Sequence, residues 1–129
     1  MRSDKDVEAY LLRYGRRYRS VEGQPGTFLV EADPGMAPIA VRVDPPLVVL
    51  RVHVGDLRGG EQARVMRKLL ELNARQLVHA SYGLEDDHVI LSSALELENL
   101  DFNEIQAALD EIDVALAQRL PELAGSAAP

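Results

Sequence analysis

Residues 81–97 read SYGLEDDHVILSSALEL, two extended runs around an acidic pair. Ser81 to Glu85 and His88 to Leu97 are expected to pair as strands, with Asp86-Asp87 as the short loop of a hairpin, because Asp supports a tight bend. Along the second run Val89, Leu91, Ser93, Leu95 and Leu97 fall on one face, the period-two pattern of a half-buried strand. Helices are predicted on either side. Gly59-Gly60 precedes one over about residues 61–79. Downstream, Asp101 followed by Glu104 is a capping box, with Leu100 and Ile105 placed as its hydrophobic staple. Ile105, Leu109, Ile112, Leu116 and Leu120 then form one helix stripe that stops at Pro121.

The chain before Gly59 divides in the same way. Ser3 followed by Asp6 is another capping box, and Val7, Leu11, Tyr14 and Tyr18 recur at helix spacing. A first helix is therefore expected over about residues 4–18, despite Gly15, which costs about 1 kcal/mol against Ala inside a helix. Gly23, Pro25 and Gly26 make a turn, and Thr27 to Ala32 reads as a strand that Asp33-Pro34-Gly35 breaks. Ile39, Val41 and Val43 alternate with Ala40 and Arg42 in a second strand. Asp44-Pro45-Pro46 turns the chain into Leu47 to Val54, whose Val48, Leu50, Val52 and Val54 share a face. Three strands this close in sequence pair most economically as an antiparallel meander. The predicted order is α-β-β-β-α-β-β-α, an α+β fold with helices packed against an antiparallel sheet. A single domain is expected over residues 1–120, with a flexible tail at 121–129.

Composition narrows the chemistry. The 129 residues are enough to bury roughly two-thirds of the surface of the unfolded chain, and 47% of them are apolar. There is no cysteine, which removes disulfides, thiolate nucleophiles and Cys-based metal sites. The net charge of −7 argues against general nucleic-acid binding, which needs a basic surface to neutralise phosphates. No stretch approaches the roughly 20 apolar residues that cross a bilayer. The opening residues Met1 to Asp6 lack the apolar core of a secretory signal. Neither membrane nor nucleic acid is an expected partner, and a cytoplasmic location is.

Searching for reactive groups yields little. His53, His79 and His88 fall on a strand, at a helix end and after a hairpin turn, so no metal or cofactor is expected. Asp86 and Asp87 beside His88 read as a solvated turn. No serine sits in G-x-S-x-G, and Gly55 and Gly59-Gly60 match no phosphate-binding loop. Glu96, Glu98, Asp101, Glu104, Asp110, Glu111 and Asp113 read as a solvated acidic helix face. An enzyme is not expected. The competing reading is a small-ligand or catalytic site assembled from scattered carboxylates and histidines. The one local anomaly is Arg13, Arg16, Arg17 and Arg19, four arginines in seven residues of an acidic chain. With Leu12, which lies off the apolar stripe, Arg13, Arg16 and Arg17 are expected to form a partner-binding patch on the first helix.

The series Leu69-Leu70-Glu71-Leu72-Asn73, Tyr82-Gly83-Leu84, Val89-Ile90-Leu91, Leu95 and Leu100-Asp101, followed by the last amphipathic helix, resembles a known module. It is similar to the helix, hairpin, helix unit of the type III secretion chaperone-like fold, and within it of the YbjN-type bacterial family. The resemblance implies a bacterial, non-catalytic homodimer that binds another protein, either holding an extended stretch of it as a chaperone or acting as a regulator. The residues of the second helix indicate where the dimer is expected. Apolar character spans roughly 180–200° of that helix, more than the ~100° needed to cover one core. Met66, Leu70 and Leu77 are expected on the chain's own sheet, leaving Val65, Leu69 and Leu72 for a second subunit. Asn73 lies within the apolar arc and needs a hydrogen-bond partner if buried.

Overall fold

In the computed structural model, which describes residues 2–32, 34–57, 59–60, 62–118 and 120, the capped segments and alternating runs become three helices and six strands. In chain order these are α1 (Asp4–Tyr14), β1 (Tyr18–Ser20), β2 (Thr27–Val30), β3 (Ile39–Asp44), β4 (Leu47–Asp56), α2 (Gln62–Arg75), β5 (Ser81–Glu85), β6 (His88–Glu96) and α3 (Phe102–Ala117). They form one sheet in the order β1-β2-β3-β4-β6-β5, with every neighbouring pair antiparallel. The meander β2-β3-β4 and the β5-β6 hairpin are as expected, and Asp86 takes a φ of 55° in the two-residue loop. Residues 121–129, expected as a tail, lie outside the described residues.

Period-two burial places the core on one face of the sheet. Val41, Val48, Leu50, Val52, Val89 and Leu91 are buried there against Val7 and Leu11 of α1 and Ile105, Leu109 and Ile112 of α3. Both capping boxes form, at Ser3–Asp6 and Asp101–Glu104. Tyr10 of α1 donates its hydroxyl to the Leu100 carbonyl at 2.9 Å, tying the first helix to the turn that starts the last. The buried Ser93 on the core face of β6 is satisfied by donating to the His79 carbonyl at 2.7 Å.

The first helix is shorter than its periodicity suggests. It stops at Tyr14, because Gly15 adopts a left-handed φ of 87° and its N–H donates to the Leu11 carbonyl. The chain then turns into β1, an extra strand, where Tyr18 pairs with Val30 rather than continuing a helical stripe. Tyr18 reaches the core by this other route, its ring 6.0 Å from Phe28 and its hydroxyl donating to Glu8. Gly15→Ala should cost about 1–2 kcal/mol, since a Cβ disfavours the left-handed conformation although space for it exists. A urea melt should show the lower midpoint; an unchanged one would mean that Gly15 is not what ends the helix.

The second helix is also shorter than predicted, ending at Arg75 instead of about residue 79. The N–H groups of Gln76 and Leu77 both turn back to the Leu72 carbonyl, closing its last turn. The third strand of the meander is longer than predicted. It runs on to Asp56 through a β-bulge between His53 and Gly55.

Candidate protein-binding surfaces

The face that α2 turns inward is rotated from the one expected, although Met66 and Leu77 still pack against the core. Val65 and Leu69 are buried at 6% and 5% exposure, and Leu72 is half-buried. Leu70, assigned to the chain's own sheet, is instead 67% exposed, with Met66 and Leu77 only half-buried. Asn73 supplies the reason. It lies four and eight residues after Leu69 and Val65, hence on their face of the helix. Its amide pairs twice with the backbone of Tyr82 in edge strand β5: Nδ2 donates to the carbonyl at 3.1 Å, and Oδ1 accepts from the N–H at 2.7 Å. That pair of hydrogen bonds to the strand edge turns the Val65–Leu69–Asn73 face inward. Met66 and Leu70, with Leu69 and Asn73 at the base, are left beside Tyr82, Gly83 and Leu84 around a shallow cleft of about 230 Å³. Leu84 is 47% exposed, so the cleft carries apolar side chains from both helix and strand.

The connection from α2 to β5 is held by Glu111 of α3. Its carboxylate accepts from the N–H groups of Val78, His79 and Ala80 at 2.8–3.1 Å. The acidic face expected on α3 is thus largely committed to internal bonds. Tyr14 donates to Asp110 at 2.7 Å and to Asp113 at 3.2 Å, and Asp113 also pairs with Arg16 at 2.7 Å. Burial first, and then the hydrogen bond to Asp110 and the charges of both carboxylates, push the Tyr14 phenol well above its ordinary value.

The arginines do not share one helix face. Arg13 lies over the Phe102 ring with its guanidinium carbon 4.2 Å from the ring centre, which ties α1 to α3, and Arg16, in the connection after α1, is held by Asp113 of α3. Arg17 and Arg19 belong to the β1 region, where with Tyr18, Leu29, Glu31 and Pro38 they line a cleft of about 270 Å³. Arg17 stays highly exposed with Glu31 at 3.7 Å, and Leu12 is exposed on α1.

Two of the three histidines, expected to be scattered, come together. The bulge in β4 shifts the alternation by one residue, so that Asp56 pairs with His88 while His53 pairs with Ile90, all on the outer face of the sheet. Asp56 Oδ1 lies 2.8 Å from His53 Nε2 and 2.6 Å from His88 Nδ1, and the two rings stand edge to face at 5.0 Å. Hydrogen bonds from His88 and then His53 hold the Asp56 carboxyl below the usual carboxylate range, and the bond to Asp56 raises His88. Spacing alone did not reveal this group, because His53 and Asp56, three apart, would face opposite ways on a regular strand.

No described helix is long and apolar enough to cross a membrane. Solved structures share the fold. A chain of the heterodimeric ExoU–SpcU complex of the Pseudomonas aeruginosa type III secretion system aligns with a TM-score of 0.71 at 15% identity, covering 91% of this chain and 97% of that one. YbjN from E. coli aligns at 0.64 and 10% identity, over 88% and 90% of the two chains. The Yersinia pestis type III secretion chaperone SycH, in complex with a stable fragment of YscM2, aligns at 0.62 and 19% identity, over 88% and 97%. No curated protein sequence matches the chain. The family model CesT_Tir_1 matches residues 1–128, nearly the whole sequence, and the chain therefore belongs to this family of type III secretion chaperones.

Proposed function

We propose that this protein is a cytoplasmic, non-catalytic chaperone-type binding protein that works as a homodimer and holds an extended segment of a partner protein. The observation that carries the dimer is the apolar cleft between α2 and β5. Its Leu70 and Leu84 stay exposed although Val65 and Leu69 beneath them close the core. A second copy laid across the same patch would bury both residues twice, as a two-fold interface does. The expected interface on Val65, Leu69 and Leu72 thereby moves about 100° around the same helix, so that Leu69 lines the edge of the cleft while Leu72 lies away from it, toward α3. SycH, similar in fold, is seen with a fragment of another protein, which supports the class of partner.

The partner-binding surface is proposed where Leu12, Arg13, Arg16 and Arg17 meet the β1 edge, with Leu12 and Arg17 as the exposed members that do not engage α3. An exposed edge strand offers unpaired backbone groups to an extended peptide, and flanking arginines favour an acidic one. Leu12→Asp combined with Arg17→Glu should weaken binding of a partner recovered from the native host by roughly ten-fold or more, since two apolar and cationic contacts at one site become repulsive. Thermal stability should change little. A titration of purified partner against both forms decides the point, and equal affinities would leave this region as solvated surface.

A further inference from the structure

The His53–Asp56–His88 group offers one further reading of the outer face. Its three donor atoms lie within 4.8 Å of one another, with the two histidines exposed and Asp56 half-buried at the end of the β4–β6 pair. We propose that these residues bind a divalent transition metal, with zinc as the best fit. Two imidazole nitrogens and one carboxylate oxygen are the donor set that zinc takes in sites with an open fourth position. Donors around a tetrahedral zinc stand about 3.3 Å apart, from zinc–nitrogen and zinc–oxygen distances near 2.0–2.2 Å. The two Asp56 contacts, at 2.6 and 2.8 Å, must lengthen by about 0.5–0.7 Å to reach that spacing, a rotation that falls to side chains on the outer face of the sheet.

The surroundings favour a cation. Glu85, Asp86 and Asp87 belong to the same hairpin end, and the nearby positive charge of Arg51 is taken up by Glu85 at 2.6 Å. The bulge acts as the positioning device. Without it Asp56 would face the core side and the group would be two histidines alone. Bulges commonly re-aim a side chain in this way beside functional sites. The fourth position is left to water or to a donor from another molecule.

Zinc chloride titrated calorimetrically into the untagged full-length chain at neutral pH tests the proposal. One saturable site per chain is expected. His53→Ala and His88→Ala should each weaken it by at least about ten-fold, the loss typical even of groups that only support a ligand. His79→Ala should leave it intact, because that residue lies outside the cluster. All three positions are exposed, so unchanged far-ultraviolet circular dichroism should certify folding. Absence of saturable binding overturns the site, as does binding that survives both His53→Ala and His88→Ala or that disappears equally with His79→Ala.

Discussion

Replacing Leu70 and Leu84 together by Asp should convert a dimer into a folded monomer near 14.2 kDa. Both side chains are exposed on one chain, so the change leaves the core intact. Across a two-fold axis each residue counts twice. Four leucines, each about half exposed and so able to gain roughly 1–2 kcal/mol on full burial, are replaced by charges facing charges. Only part of that gain survives the cost of association, yet even ~3 kcal/mol shifts a dissociation constant by about a hundred-fold. Light scattering after size exclusion reads the mass of both forms. A parent protein that is monomeric at micromolar concentration ends the dimer proposal, and a dimer that survives the double change places its interface elsewhere. Leu69→Asp is the informative contrast. Leu69 is already buried by its own chain, so a charge there should unfold the protein instead of splitting it.

Glu111→Ala should lower stability by about 2–3 kcal/mol. One carboxylate satisfies three consecutive backbone N–H groups, and its removal leaves the partly buried Ala80 N–H without its acceptor. Val78 and His79 are exposed enough for water to replace part of the loss. The damage should spread along the connection, because the His79 carbonyl accepts from buried Ser93 and Ala80 leads into β5. Glu111→Gln retains an acceptor without the charge and should fall between the two. Denaturant midpoints give the magnitude, and amide exchange at residues 78–80 gives the location. Protection unchanged there would mean that the loop is held by its packing alone.

How much of this was legible in the sequence depends on the distance over which each feature is decided. Both capping boxes, the β5–β6 hairpin, the β2–β4 meander and the stripe of α3 are set by residues within a few positions of one another, and they were read directly. Gly15 counts as a small penalty in the sequence and acts as a stop in the fold, since a helical period that extends past a glycine does not show whether the chain follows it. The resemblance over the helix, hairpin, helix segment carried the family because it rests on the order of such local units.

Three features needed the folded chain. The face that α2 turns inward follows from the bond of Asn73 to Tyr82, although the presence of a polar residue in that arc was visible beforehand. The acidic residues of α3 are visible, but not that Glu111 faces a loop and Asp113 an arginine just beyond the first helix. The His53–Asp56–His88 group depends on a bulge, which changes which residues share a face without changing their spacing. Local hydrogen bonding and hydrophobic period determine which elements form. Which side of an element turns inward is set by a few polar bonds between elements and one inserted residue, and these act only once the strands have paired.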